Sequence, residues 1–360
     1  MIKKLLNKLP TEHIKSIDSL KFIFSIIIVY YHLFHIQLRP FLHNSEIFRE
    51  LTFRTFSAVL IVDCFLVMSG YFLYQTIKTN KLTIYQFILK IFFRIYPVFF
   101  VSTIITYIQS PTSIDELVLK LFLFHSTGIS LHYFGATWFI GPFFWCSILL
   151  FSIFKTFEKH KSALIIAIFT YFSYATIINN FNGWIERNVV YSFLSIAMIR
   201  VFGGLSLGIL LHIAKEVFND NLEQIIPNKA KTILVSIIEI ICLSTLLYNF
   251  TIFPIFKNFF ITIIIFSILF ACLISTKGIL SKLLQIKYLS ILGKFSYSIY
   301  VMQQVAFNIL QKTLWQNTNF IYSHTILTLF ISVMLATFIG IITYYTIERP
   351  IQKFYAKYLS

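Results

Sequence analysis

Long apolar runs recur along the whole chain, separated by short polar segments. Each run contains about 20 residues, enough for an α-helix to cross a hydrocarbon core of about 30 Å. The runs are rich in Ile and Phe and lack the alternation of a membrane-spanning strand, so the pattern predicts helices rather than a β-barrel. About ten runs are present: 17–37, 56–77, 84–108, 137–157, 162–178, 190–213, 232–249, 256–275, 289–311 and 325–347. The sequence therefore predicts an all-α integral membrane protein, a polytopic bundle of about ten transmembrane helices.

The composition agrees with this prediction. Of the 360 residues, 58% are hydrophobic and 12% are charged, whereas a soluble domain carries about 25% charged residues. No polar stretch is long enough to form a separate soluble domain. We therefore expect one membrane domain over residues 1–360, with no appended soluble domain.

The basic residues indicate an orientation. If the N-terminus is cytoplasmic, 22 of the 30 Lys and Arg residues fall on the cytoplasmic side and seven on the other. Because positively charged loops stay in the cytoplasm, both termini are expected to be cytoplasmic. The net charge of +16 is spread over these loops, which favours contact with anionic membrane lipid over nucleic-acid binding.

Motifs for soluble cofactor chemistry are missing from the sequence. It contains no phosphate-binding Gly-rich loop, no nucleophile elbow and no metal-ligand spacing, and its four cysteines fit no disulfide framework. We expect no metal site and no permanently bound cofactor.

Two histidines, His32 and His35, lie three residues apart in the apolar run Ser25–Gln37. Polar groups inside a bilayer are costly and are therefore candidate functional residues. His32 lies roughly 18 Å along a helix that enters the membrane near Leu20, which places it in the outer half. Asp63 begins the next run at a comparable depth, and a carboxylate beside an imidazole would orient it and raise its basicity, as a general base requires. The alternative is that His32 forms a structural hydrogen bond to a neighbouring helix.

Lys90 and Arg94 are four residues apart on one face of the third run, just before the helix-kinking residue Pro97. Both side chains could simply extend to the cytoplasmic surface. The functional interpretation is a cationic mouth for an anionic cytosolic substrate, with phosphates as the obvious partner.

Four further residues are candidates for substrate binding or for structural roles. Arg200 lies deep in the sixth run and needs a carboxylate, carbonyl groups or a substrate as its partner. Ser69, next to a glycine, suits close helix packing, and Gln303 begins a pair of amides near the middle of a run. Trp138 opens the fourth run, where the aromatic belt of the membrane interface explains it without any chemistry.

Six segments, in this order, resemble the motifs of the acyltransferase-3 family of integral membrane acyltransferases. They are Ile17–His32, Ile61–Leu73, Phe92–Pro97, Trp138–Gly141, Leu292–Gln304 and Thr346–Ile351. The last two segments contain Tyr297 and Glu348, which join the candidates for substrate-binding or structural roles. The chain departs from the family pattern at three places. Lys21 replaces the usual Arg, Ile91 replaces the first Arg of a pair, and Gln303 replaces a late His.

The resemblance implies transfer of an acyl group, commonly acetyl, from cytosolic acetyl-CoA or another acyl-CoA to a sugar hydroxyl. The acceptor would be an envelope polysaccharide or a lipid-linked glycan, and the enzyme would be a multi-pass protein of the bacterial cytoplasmic (inner) membrane. Lys21, Lys90 and Arg94 would meet the anionic donor. His32 would be the general base or would relay the acyl group, with Asp63 orienting it.

A non-enzymatic function is the competing hypothesis. A transporter or exporter of a polysaccharide or lipid-linked sugar would use the same intramembrane charges as a pathway. The absence of a visible inverted repeat in the sequence argues against a secondary transporter.

Overall fold

The computed structural model describes residues 14–38, 60–79, 82–129, 135–181, 190–191, 194–222, 228–252 and 259–358. In these residues the chain is almost wholly helical. A two-residue antiparallel pair joins β1 (Val190–Tyr191) to β2 (Leu194–Ser195) just before the helix that begins at Ile196.

Fifteen α-helices lie in the described ranges. They are α1 (Lys15–His32), α2 (Ile61–Thr79), α3 (Ile84–Gln109), α4 (Ile114–Leu121), α5 (Ile140–Thr156), α6 (Lys159–Phe181), α7 (Ile196–Leu222), α8 (Asn228–Ile252), α9 (Phe259–Ser275), α10 (Ile279–Leu283), α11 (Lys287–Leu292), α12 (Ser296–Gln311), α13 (Thr318–Ser323), α14 (Thr325–Thr343) and α15 (Arg349–Tyr358). Two π-helical turns continue α1 and α14, at Leu33–Gln37 and Tyr344–Glu348 respectively.

Helix occupies most of the described part of each apolar run, although the run 190–213 begins with the short strand pair, and this confirms the all-α prediction. Six helical segments are long and apolar enough to cross a membrane: Ile84–Gln109, Gly135–Thr156, Lys159–Asn179, Ile196–Val217, Lys229–Asn249 and Thr325–Lys357. The shorter helix α9 is also apolar. The chain is therefore a multi-pass membrane protein, while the count of about ten spans and the cytoplasmic termini remain predictions.

The run 289–311 is the one that departs most from a single span. A 3-10 turn at Gly293–Phe295 separates α11 from α12, which has 16 residues. A Cβ atom at Gly293 would come within 2.2 Å of the backbone oxygen of Asp18, so only glycine allows this close approach of the turn to α1.

The described residues form two compact units. Unit 1 is drawn from Met1–Thr52, Ile88–Thr112 and Lys282–Ser360, and unit 2 from Phe53–Phe87 and Ser113–Ser281. The prediction of a single domain over residues 1–360 therefore stays a prediction.

Unit 1 is built around α12, which packs against α14 and α1. Its apolar core includes Phe34, Ile299, Phe307 and Trp315, all almost fully buried. This packing fixes the facing sides of α1 and α12, and therefore fixes the positions of the polar side chains that those sides carry.

Unit 2 is built around α7, which packs against α2, α6 and α5. A Cβ atom at Gly70 would lie 1.9 Å from the backbone oxygen of Leu205, and one at Gly208 would lie 2.0 Å from that of Val67. Small residues thus let the backbones of α2 and α7 approach closely, as is common between membrane helices.

Candidate functional site

His32 is the last residue of α1, and its side chain is buried against α12. Its Nδ1 lies 3.0 Å from Oε1 of Gln303, and its ring meets the ring of Tyr300 edge-on with centroids 6.2 Å apart. Gln303 is fully buried and donates from Nε2 to the backbone oxygen of Tyr300 at 2.7 Å. Two polar residues predicted from the sequence, His32 and Gln303, therefore meet in the core of unit 1. The side chain of His35 lies outside the described residues.

Asp63 and Arg200 form a buried ion pair in unit 2. Nε of Arg200 donates to Oδ1 of Asp63 at 2.7 Å, and Nη2 donates to Oδ2. Cζ of Arg200 lies 4.9 Å from the ring centre of Trp138 and 6.0 Å from that of Phe259. Asp63 is therefore the carboxylate partner that Arg200 was expected to need, bound by two hydrogen bonds.

These contacts give His32 and Asp63 a partner within their own units. Both carboxylate oxygens of Asp63 accept hydrogen bonds from the Arg200 guanidinium, because two charges in an apolar interior must neutralise each other. The group that contacts Nδ1 of His32 is the Gln303 amide, so Gln303 orients the imidazole through Nδ1. The expected pairing of His32 with Asp63 stays a prediction.

Lys21, Lys90 and Arg94 come together in unit 1. Nζ of Lys21 forms a part-buried ion pair with Oδ1 of Asp18 at 3.3 Å. Arg94 is exposed and is close enough to Lys21 and to Lys90 for their charges to interact. Arg94 also interacts with Glu348, so three cations stand against two carboxylates and leave a local excess of positive charge, which is what an anionic ligand requires.

The first turn of α12 binds α3 near Pro97 and the second π-helical turn. Oη of Tyr297 donates to the backbone oxygen of Ile95 at 2.5 Å, two residues before Pro97. Oγ of Ser298 donates to Oε2 of Glu348 at 2.5 Å, and Oε1 of Glu348 accepts from Gln352 at 3.0 Å. Tyr297 thus binds α12 to the helix that carries two of the cations, and Glu348 binds α12 to the end of the chain.

Ser69 lies in unit 2, half-buried, beside the close contact of Gly70 with α7. Its position agrees with the packing interpretation of the Ser-Gly pair. Trp138 is almost fully buried beneath Arg200, so it belongs to the ion-pair cluster and not to an interfacial belt.

Several polar residues of the structure were missed by the sequence interpretation. Asn308 accepts from Gln304 at 2.8 Å and donates to Gln109 at 3.1 Å, which links the outer ends of α12 and α3 as the sequence orients them. The i, i+4 spacing of Gln304 and Asn308 was a usable signal. The contact of Gln303 with the carbonyl of Tyr300 carries no sequence signal, because any residue has a carbonyl.

No group of three or more His, Cys, Asp or Glu side chains able to hold a metal ion lies within the described part of the chain. The buried polar groups of the His32–Gln303 and Asp63–Arg200 pairs bind one another, and Gln303 also binds the backbone.

The comparisons with known proteins agree with the motifs. A family model described as an acyltransferase domain matches residues 14–345, from the start of α1 into the second π-helical turn. No curated protein and no solved structure matches the chain. The match spans both units and nearly all of the chain, so the protein belongs to the acyltransferase-3 family.

Proposed function

We propose that this membrane acyltransferase transfers an acetyl group from acetyl-CoA to a hydroxyl of an envelope polysaccharide or lipid-linked glycan. Another acyl-CoA remains an alternative donor. The proposed location is the bacterial cytoplasmic membrane, with membrane lipid around the helices. The observation that carries the proposal is the buried His32–Gln303 pair, whose histidine lies on the same helix as Lys21, one of the clustered cations.

The cation cluster suits a CoA thioester. CoA carries several phosphates at one end and the thioester at the end of an extended pantetheine arm. Lys21 lies in α1 eleven residues before His32, which corresponds to about 16 Å along the helix. Phosphates held by Lys21, Lys90 and Arg94 would therefore leave the arm free to reach along α1 towards the imidazole.

The proposed step is a base-assisted acyl transfer. The acceptor O–H bond breaks as its proton passes to the imidazole of His32, and the oxygen forms an ester bond with the acyl carbon. The C–S bond of the thioester then breaks, and the imidazolium returns the proton to the CoA thiolate. Acyl relay, in which His32 itself carries the acyl group, uses the same ring nitrogen as the nucleophile.

The test is mass spectrometry of envelope glycans from a deletion strain that carries wild-type protein, His32→Ala or His324→Ala at matched membrane levels. His324 is the matched control, because it is an exposed histidine of unit 1 that contacts Ser323. Wild type and His324→Ala should restore the acyl mass, whereas His32→Ala should not, since losing a general base costs about 10²–10⁴ in rate.

Two results would contradict the proposal. If His32→Ala restores acylation as well as wild type does, His32 is a structural residue. If the deletion removes the glycan itself from the cell surface, export replaces acyl transfer as the function.

A further inference from the structure

We infer that Gln303 is a positioning residue, which holds the neutral His32 ring in the tautomer with its proton on Nδ1. The inference rests on the proposed function of His32. It concerns a different property, namely which ring nitrogen can receive the acceptor's proton.

The orientation of the Gln303 amide is the first step. Its nitrogen lies 2.7 Å from the backbone oxygen of Tyr300, which can only accept a hydrogen bond. An amide with its oxygen at this place would bring two acceptors together, so the NH₂ group must face Tyr300. The amide oxygen is then the atom that lies 3.0 Å from Nδ1 of His32.

The tautomer of His32 follows from that orientation. An amide oxygen has no proton to give, so Nδ1 must donate. A neutral imidazole carries one proton, and with that proton on Nδ1 the lone pair is on Nε2. Nε2 is therefore the nitrogen that accepts the proton of the acceptor hydroxyl, or that attacks the thioester if His32 relays the acyl group.

The burial of His32 and Gln303 favours one tautomer of His32 over the other. His32 is 6% exposed and Gln303 is fully buried, so moving the proton to Nε2 would leave the buried amide oxygen of Gln303 without its donor. Leaving a buried acceptor unsatisfied is unfavourable by a factor of about 5 to about 150, so the tautomer with its proton on Nδ1 dominates by about fivefold or more.

Because Gln303 is an amide, it also determines which ring nitrogen of His32 releases the proton. Gln303 orients the ring but cannot take a proton from Nδ1, as a carboxylate or a second imidazole could. The proton that enters at Nε2 must therefore leave from Nε2. This agrees with its return to the CoA thiolate in the proposed step.

Nitrogen-15 NMR of the histidine-labelled full-length protein in lipid bilayers tests the inference without any substrate. The difference spectrum between wild type and His32→Ala assigns the two ring nitrogens of His32. We expect a protonated Nδ1 and an unprotonated Nε2 at neutral pH in wild type. Gln303→Met, which has similar length but no acceptor, should lose this pattern, and Gln303→Glu, which keeps an acceptor, should keep Nδ1 protonated.

Gln304→Met is the matched control, because Gln304 is the next residue of α12 and bonds to Asn308 instead. It should leave the His32 resonances unchanged. A protonated Nε2 in wild type, or an unchanged pattern in Gln303→Met, would overturn the inference. If Gln303→Met does not fold, the wild-type spectrum alone decides the tautomer.

Kinetics separate this inference from the proposed function. Gln303→Met should lower kcat by about fivefold or more, because the reactive tautomer loses the preference that the hydrogen bond gives it, with KM for the acyl-CoA little changed. If His32→Ala keeps its activity while the NMR pattern is as expected, the tautomer assignment stands and the catalytic role fails. If His32→Ala is inactive but Gln303→Met has normal kcat, His32 acts without help from Gln303.

Discussion

At the scale of single residues, the buried pair of Asp63 and Arg200 makes the stability of unit 2 depend on two opposite charges. Their side chains are 2% and 0% exposed, and both oxygens of the carboxylate are engaged. Burying two charges costs several kcal/mol for each, and their attraction offsets that cost only while both are present. Removing one charge should therefore be worse than removing both.

We expect Asp63→Asn to destabilise the protein by about 3–5 kcal/mol, because it leaves the Arg200 guanidinium buried and uncompensated. The double variant Asp63→Leu with Arg200→Met should recover much of that loss. Thermal unfolding of the purified protein in one detergent measures both effects. A double variant that is no more stable than Asp63→Asn would contradict the assignment of a charge-neutralising pair.

Sequence interpretation located these residues better than it located their partners. The cost of a polar group inside an apolar run identified His32, Asp63, Arg200 and Gln303 one at a time. The partners are 271 residues apart for His32 and Gln303, and 137 residues apart for Asp63 and Arg200. Which pairs meet depends on how helices pack, and hydropathy holds no information about that.

At the scale of elements, the segment between α3 and α5 shows the same limit. The apolar runs do not describe this segment, whose described part contains α4 followed by a compact turn. Leu123 and Ser126 have φ values of 61° and 56°, which non-glycine residues rarely adopt. Such a turn persists only when its surroundings hold it. His125 is fully buried beside it, 3.2 Å from the backbone oxygen of Thr137.

His125, which is buried beside this turn, should make the stability of the protein depend on pH. Burial, aided by the charge of Lys120, lowers the pKa of His125 from 6.5 to about 3. The unfolded chain therefore binds the proton first as the pH falls. The resulting stability is complete above about pH 6.5 and is lost progressively down to about pH 3.

Thermal unfolding at pH 7 and pH 4.5 should differ by about 2–3 kcal/mol through this residue alone. His125→Gln should be less stable than wild type at pH 7 and should lose that part of the pH dependence. Titrating carboxylates contribute equally in both proteins, so the comparison cancels them. An identical pH dependence in wild type and His125→Gln would show that His125 is not buried in its neutral form.

At the scale of the whole molecule, the family match and the helical architecture agree with the first reading of the hydropathy. The apolar runs specify helices directly because a bilayer tolerates no unpaired backbone groups. The number of spans is harder to derive. α1 carries Lys15, Asp18 and Lys21 in its first two turns, and Gly293–Phe295 interrupts another run. Charges and helix breaks of this kind make it hard to distinguish, from the sequence, a membrane-spanning helix from a buried helix that does not span.

The basic residues give a prediction of orientation that a reporter can check. Lys78 of α2 and Lys159 of α6 both bind Glu216 of α7, at 2.6 and 3.1 Å. The charge bias assigns these three helix ends to the cytoplasm, and they meet within unit 2. A fluorescent protein fused after Ser360 should therefore fluoresce, and alkaline phosphatase fused there should be inactive. Fusions between α6 and α7 are the control and should give the reverse. Active phosphatase at the C-terminus would invert the proposed sides of donor and acceptor.

The π-helical turn that follows α1 has a consequence for sequence comparison. Leu38 N–H bonds to the oxygen of Leu33 at 2.9 Å, five residues back instead of four, so this turn holds one residue more than an α-helical turn. Deleting one residue within Leu33–Gln37 would restore a regular helix with little rotation of the chain beyond it, because the deleted residue is the extra one of the π-turn, and would leave His32 where it is. Chains aligned with this one should therefore tolerate a one-residue gap just after the histidine. A gap before it would displace the imidazole from Gln303.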